Sequence, residues 1–397
     1  MDSLVSVEDA LEVVRSSAPS LGRERCALED AVGRTLAVAV TGGPLPPFDT
    51  SAMDGLAVRL SDLGAMPARL PVAGVIHAGD RPAGALEAGT AVAVMTGAPI
   101  PVGTEAIVPV EWTRRDGDAA VIERAPSPGQ FLRPAGSALP DGALVLEAGD
   151  TVTPGAVGLL ASVGAVALEV VCRPTVAVVS TGDEVVPAGA SPGPGQIRNA
   201  NGPGLAAQAA AAGAHVLEAH ALDDPASVRD TLEAASGADV LVFAGGVSMG
   251  ERDLVRPELE RRGVDWRFWG VRQRPGKPLA AGVLEGVAVF GLPGNPVSAA
   301  VCFEVYVRAL LDASLGRTPR PLEVGVLEDE VPKATGLHTF ARVTASSADR
   351  VRLSPAGDQA SHAALSLAVS DGLAHLPAEW DAAPAGVEVA FQRWPWR

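Results

Sequence analysis

The apolar positions change period along the chain. Between Val7 and Val14, and again between Leu28 and Val40, they recur at three- and four-residue spacing, which predicts helices. Ser6 precedes the first run as an N-cap, with Asp9 close behind it. From about Pro44 to Asp150 the apolar residues come in short strings such as Ala91-Val92-Ala93-Val94 and Ala106-Ile107-Val108-Pro109-Val110, broken by Gly and Pro. That texture predicts a turn-rich β module.

Between Arg173 and about Leu315, strand-length runs alternate with helical spacing, the pattern of a parallel sheet covered by helices. The strands read Thr175 to Ser180, His215 to His220, Asp239 to Phe243 and Val287 to Gly291. The helices fall near Gly204 to Ala212, Pro225 to Ser236, Glu251 to Arg262 and Val297 to Ala313, with Gly213 closing the first as its C′ residue. After Pro321 the β texture returns and runs to Trp394-Pro395-Trp396.

A chain of 397 residues exceeds one core and predicts two to four domains. A net charge of -16 argues against nucleic acid or anionic lipid as a partner, so an anionic substrate needs a local basic site. No apolar run reaches the roughly 18 residues of a membrane span, and Met1 to Glu8 does not read as a signal peptide. Cytoplasmic residence is the expectation. Cys26, Cys172 and Cys302 stand far apart beside apolar neighbours and read as buried and reduced. The six histidines lack triad or zinc spacing; His215 and His220 read as structural, and His362 stands out. Lysine occurs only at Lys277 and Lys333.

Ligands of an open α/β sheet bind beyond the carboxyl ends of its strands, and there this sequence places its unusual residues. One strand runs into Thr181-Gly182-Asp183-Glu184, another into Gly245-Gly246-Val247-Ser248-Met249-Gly250-Glu251-Arg252-Asp253, a third into Leu292-Pro293-Gly294-Asn295-Pro296-Val297-Ser298. The glycines admit backbone amides to an anion, with Ser248 and Ser298 adding donors, which suits a phosphate or pyrophosphate on one shared rim. Glu184, Asp223 and Asp253 are candidate ligands for a divalent cation, since Mg²⁺ takes one or two carboxylates plus phosphate oxygens. For Asp223 the simpler reading is an N-cap of the helix after Pro225; for Asp253 it is a first-turn acid. Arg272-Gln273-Arg274-Pro275-Gly276-Lys277-Pro278 gathers three cations around a Pro-Gly turn, with Arg274 and Lys277 able to grip an oxyanion. Phe48-Asp49-Thr50-Ser51-Ala52-Met53-Asp54-Gly55 and Met95-Thr96-Gly97-Ala98-Pro99 read as loops.

Taken in order, these strings resemble the molybdopterin molybdenumtransferases, the MoeA and gephyrin E-domain family, over essentially the whole chain. Phe48 to Gly55 is similar to the family's F-D-x-S-A-M-D-G, and Met95 to Ala98 with Pro101-Val102-Gly103 to its M-T-G-A-x-x-P-x-G. The strings at Thr181, Gly245, Pro275 and Leu292 continue the match. Leu56 stands where the family has tyrosine, Arg274 where lysine is common, Gly136-Ser137-Ala138-Leu139 in place of a G-E-D stretch, and Ala360 in place of glycine.

The resemblance implies an α/β protein with β-rich domains, a homodimer of elongated protomers. Residues 1–44 with 146–172 would form a helical linker, 45–145 an inserted β domain, 173–315 a doubly wound molybdopterin-binding domain and 316–397 a β-barrel. It implies that adenylyl-molybdopterin and molybdate react with Mg²⁺ to give molybdenum cofactor and AMP. Thr181, Gly182, Asp183, Gly245, Gly246, Ser248, Gly250, Pro293, Gly294 and Asn295 would line the substrate site, with Glu184, Asp223 and Asp253 near the metal. Arg274, Pro275, Gly276, Lys277, Pro278, Ser298, Arg342 and Ser361 would surround the oxyanion, and Asp54 and Thr96 would reach in from the partner subunit. A molybdopterin adenylyltransferase and recipient molybdoenzymes are the implied partners. A non-catalytic scaffold, or an adenylyltransferase resembling residues 173–315 alone, are the alternatives.

Overall fold

In the computed structural model, which describes residues 4–81, 84–246, 254–347 and 350–396, Ser6 opens the first helix. Its hydroxyl accepts the Asp9 amide at 3.0 Å and starts α1 (Val7–Ser16). Val7, Ala10 and Val14 form the buried stripe at helical spacing. That stripe enters a core shared with Val176, Phe290 and Tyr306 and with Phe340, Leu373 and Trp394 near the other end of the chain.

The helix expected over Leu28 to Val40 does not form. A 3₁₀ turn (Leu28–Asp30) is followed by the short strand Val40–Gly42. Gly33 takes φ +79°, and the β-branched Thr35, Val38 and Val40 favour extended backbone. The apolar spacing is real but serves another surface: Leu28, Ala31 and Leu36 bury against Leu160 of α2 (Pro154–Ser162), Leu168 and Val170. Strands Arg23–Ala27 and Ala167–Val171 pair antiparallel, so this part of the chain is mixed rather than helical.

The β module forms as expected. Its six-stranded sheet runs Ala106–Pro109, Gly55–Val58, Ala91–Val94, Ala68–Ile76, Ala119–Ile122, Thr113–Asp116.

The central sheet contains β1 (Thr175–Thr181), β2 (His215–Ala221), β3 (Val240–Ala244), β4 (Asp265–Trp269), β5 (Ala280–Leu284) and β6 (Val287–Leu292), in the order β2-β1-β3-β6-β5-β4. The first four are parallel. Contrary to an all-parallel expectation, β5 and β4 add as an antiparallel edge. Alternate residues face opposite layers. Val176, Val178 and Val242 pack under α3 (Asn201–Ala211) and α6 (Pro296–Cys302). Ala177, Val179 and Phe243 pack under α4 (Pro225–Ala234) and α5 (Val255–Arg261). The helix expected over Val297 to Ala313 is continuous, but five residues (Phe303–Val307) wind as a π turn between α6 and α7 (Arg308–Ser314). Gly213, at φ +94°, ends α3 as expected.

The last part is a closed five-strand barrel: His338–Ser347, Val351–Pro355, Glu323–Leu327, Glu388–Arg393 and Gly372–Leu376, the last pairing back to the first. Gln273–Arg274 attaches to it in parallel beside His338 and Thr339, tying the central module to the barrel.

Candidate active site

Because β2 and β3 lie on either side of β1, the crossovers leaving β1 and β2 diverge and open a crevice at the carboxyl ends of β1 and β3. A cleft of about 650 Å³ occupies it, walled by Thr181, Gly182 and Glu184 after β1, Asp223 after β2, Gly245 and Gly246 after β3, and Gly294 and Asn295 after β6. Three of these glycines are favoured by a positive φ, and two of them also by close approach to Thr181. A Cβ on Gly245 or Gly246 would stand 3.0 or 2.8 Å from Thr181 Oγ1, with φ at +91° and +64°. At Gly182, φ +123°, a Cβ would strike the Glu184 carboxylate at 2.5 Å.

The acidic end is tied together by backbone. Asp183 Oδ1 accepts the Asp223 amide at 3.0 Å. Asp223 is not the cap of α4: Asp224 takes that place, accepting the Ser227 amide at 2.8 Å. Asp223 is thereby left on the cleft wall with Glu184. Ser248, Gly250 and Asp253 lie outside the described residues. Among the described residues no group of three acidic or other metal-ligating side chains occurs. Two carboxylates beside glycine amides nevertheless match what Mg²⁺ asks of a protein when phosphates complete its shell.

Two asparagines unread in the sequence hold the opposite wall. Asn199 donates to Ser180 Oγ at 2.8 Å and accepts the Gly202 amide at 2.8 Å. Asn201 donates to the Gly294 carbonyl at 2.7 Å, fastening the start of α3 to the loop after β6. Asn before a helical run is a recognised cap signal, and it was the available clue. His220 Nδ1 lies 3.1 Å from Ser180 Oγ, a structural role as expected, while His362 is exposed.

The cationic turn stands on the other face of α6. Arg274, Lys277 and Pro278 are exposed; Pro275 and Gly276 are buried. Gly276, φ +90°, sits so close to α6 that a Cβ would meet Cys302 Sγ and approach the Ser298 carbonyl at 3.6 Å. Ser298 itself is 3% exposed, so it packs beneath the turn rather than standing open as an anion donor. Fully buried Gln273 donates to the carbonyls of Pro275 (3.1 Å) and Gly276 (3.3 Å) and accepts from the Tyr306 hydroxyl. The π turn carries Tyr306 to this contact.

The two regions communicate through the barrel. Ser361 Oγ accepts from Asn295 Nδ2 at 3.1 Å, and its carbonyl accepts the Val297 amide at 3.2 Å. Arg342, 1% exposed, spends its guanidinium on Ser366 Oγ (3.2 Å) and the Asp358 (3.1 Å) and Ala360 (3.3 Å) carbonyls. It therefore shapes the Ser361 loop instead of pointing at an open oxyanion site. Burial, reinforced by Arg274, pushes its pKa down to about 10 despite Asp358, leaving it charged at neutral pH.

Asp54 and Thr96 meet on the inserted module. Asp54 Oδ1 accepts the Thr96 amide at 2.6 Å and its hydroxyl at 2.8 Å, which holds the carboxyl below the usual range. Pro293 is half-buried behind Gly294. Of the cysteines, Cys26 and Cys302 are buried and Cys172 half-buried, all three free. Lys333 bonds the Ala334 and Leu337 carbonyls on the barrel.

A doubly wound sheet with a glycine-walled, carboxylate-bearing crevice, set among β-rich modules, defines a ligand-binding α/β protein. Family models agree: the MoeA N-terminal region (domains I and II) matches residues 5–164, the probable molybdopterin binding domain 177–313, and the MoeA C-terminal region (domain IV) 324–394. The chain is 38% identical over 358 residues to molybdopterin molybdenumtransferase 2 of Mycobacterium tuberculosis, covering 87% of this chain and 88% of that one. It is 37% identical over 401 residues to the molybdopterin molybdenumtransferase of Synechococcus elongatus, covering 97% and 98%. The crystal structure of the molybdopterin biosynthesis MoeA protein from Pyrococcus horikoshii OT3 superposes with a TM-score of 0.86 at 26% identity, over 99% of this chain and 100% of that one. The chain belongs to the molybdopterin molybdenumtransferase (MoeA) family and to molybdenum cofactor biosynthesis. Coverage of the β modules as well as the α/β domain disfavours the adenylyltransferase alternative.

Proposed function

We propose that this protein transfers molybdenum from molybdate to adenylylated molybdopterin, cleaving the pyrophosphate link and releasing AMP. The observation that carries the reading is the crevice itself, where glycine loops after β1, β3 and β6 stand beside Glu184 and Asp223. Backbone amides at Gly246 and Gly294 would bind the phosphates, with the Gly245 amide tied to the Leu292 carbonyl to shape the loop, and Asn201 would hold the two walls at fixed separation. Mg²⁺ held by Glu184 and Asp223, with Asp253 a further candidate ligand, would supply charge neutralisation between carboxylates and phosphates. Lys277 and Arg274 would attract molybdate to the opposite face of α6, in a chain whose net charge of -16 otherwise repels it. Asp54 and Thr96 would complete the site from the second subunit of a homodimer. The substrate would come from a molybdopterin adenylyltransferase, and the product would pass to molybdoenzymes in the cytoplasm. No helix of the described residues is long and apolar enough to cross a membrane.

The test is incubation of purified protein with adenylyl-molybdopterin, Mg²⁺ and molybdate, with AMP followed by chromatography. Molybdate-dependent AMP release is expected. Tight binding without turnover would instead identify a scaffold. Lys277→Ala should raise the KM for molybdate at least tenfold while leaving the thermal midpoint within about 2 °C, since exposed side chains contribute little to stability.

A further inference from the structure

Glu304, Arg308 and Asp312 recur at four-residue spacing through the π turn and α7, which sets all three on one face. That face walls a cavity of about 500 Å³, closed by α1, by residues 317–323 leading into the barrel, and by the barrel strand Glu388–Arg393 with its tail. None of its wall residues belongs to the crevice or to the Lys277 turn. Three wall arginines are already paired. Arg308 meets Glu304 at 3.1 Å, Arg317 meets Asp312 at 3.4 Å, and Arg393 forks onto Glu323 at 2.8 and 2.9 Å. Those pairs use every carboxylate of the wall. Arg15 and Arg320 also line the cavity, are exposed, and have no carboxylate in salt-bridge reach among the described residues. His375, which burial pushes down to about 4, adds no charge at neutral pH. The wall therefore keeps two uncompensated guanidiniums, although the chain as a whole carries -16.

A donor deeper in the same wall is also unspent. Arg308 is 3% exposed; its Nε bonds Glu304 and its Nη2 bonds the Ala211 carbonyl, each at 3.3 Å, while the buried Nη1 has no hydrogen-bond partner. A charged donor kept dry and unpaired is costly, and an oxyanion satisfies it while neutralising Arg15 and Arg320. The guanidiniums also act on one another. Burial first, with Arg308 and Arg320 adding to it, lowers the Arg317 pKa against the pull of Asp312.

We propose that this cavity is a second anion site and takes a compact phosphate-type dianion through Arg15, Arg320 and the inner edge of Arg308. Two charges on the ligand match the two uncompensated guanidiniums, and planar N–H forks suit tetrahedral oxygens. The dianion arrives either free or as the phosphate of a small ester, whose body would lie on Leu11, Val305 and Pro319. The assignment stands apart from the transferase reading, since it uses no residue of the crevice.

Calorimetric titration of the full-length protein with inorganic phosphate, at pH 7 and constant ionic strength, tests this. The wild type should hold a phosphate that Arg15→Ala with Arg320→Ala weakens at least fivefold at an unchanged urea midpoint. Arg15→Lys with Arg320→Lys, which keeps both charges, should restore most of the affinity. Asn201→Ala in the crevice and Lys277→Ala should leave this phosphate in place. Glycerol 3-phosphate bound more tightly than phosphate would identify an ester as the ligand, and equal affinity the free dianion. The proposal is overturned if the wild type binds no phosphate, if the double alanine variant binds it as wild type does, or if the loss follows Asn201→Ala or Lys277→Ala instead.

Discussion

Gln273 and Tyr306, the one tyrosine of the chain, show how a buried pair can set an exposed charge. Both are fully buried. Burial pushes the tyrosine pKa well above its usual value, so the hydroxyl stays a donor to Gln273 across the working range. The Gln273 amide in turn fastens the carbonyls that precede Lys277. Tyr306→Phe leaves the Gln273 oxygen without its donor in a dry site, a cost of about 1–3 kcal/mol. We expect a several-fold higher KM for molybdate with a smaller change in kcat. A kcat effect alone would mean that the pair does not position the turn. Gly276→Ala should be harsher, lowering the urea midpoint sharply, because φ +90° and the contact with Cys302 both oppose a methyl; an unchanged midpoint would show that the turn yields.

At the scale of elements, the junction of the π turn with the barrel stores opposing titrations. The His338 and His375 rings meet at 5.5 Å, and burial pushes both down to about 4. Burial pushes Glu304, in the π turn, up to about 7 in spite of Arg308. Below pH 6.5 the unfolded chain takes protons that the folded histidines refuse. Their contribution is therefore present above pH 6.5 and is lost on acidification towards 4. Glu304 works the other way: its contribution is present below about 4.5 and is lost as the pH rises through 7. Glu258, held down to about 2 first by Arg261, adds to the acid loss. Urea midpoints should fall between pH 6.5 and 4, and fall more steeply in Glu304→Gln. A variant profile as shallow as wild type would remove Glu304 from this account.

For the whole molecule the question is where Asp54 and Thr96 act. They stand together on the inserted module, whereas the residues walling the crevice come from the central sheet and its loops. If a second subunit delivers them, Asp54→Ala and Lys277→Ala homodimers should each be strongly impaired when molybdate is held well below the wild-type KM. Each mixed dimer would hold one intact site of its two, so a randomly paired co-expressed mixture should recover about a quarter of wild-type turnover, or about half per mixed dimer. No recovery would mean that one chain supplies both groups.

Much of this protein could be read from residue order, since the strands after Arg173 and the β module declare themselves by periodicity and turn residues. The loops after β1, β3 and β6 were also legible, because a strand-to-helix junction rich in glycine allows few other uses. The misreadings share one cause. Leu28 to Val40 has helical spacing but packs as loop and strand, and Asp224, one residue along, rather than Asp223 caps α4. In both cases the backbone found partners far away in sequence or one position over, which local pattern does not encode. Likewise Ser298 and Arg342 look like anion ligands until packing surrounds them. Local chemistry therefore decided which elements form and which loops bear function. Only the fold decided which polar groups face a ligand and which are consumed in holding those loops, because burial and hydrogen-bond partners are properties of neighbours in space.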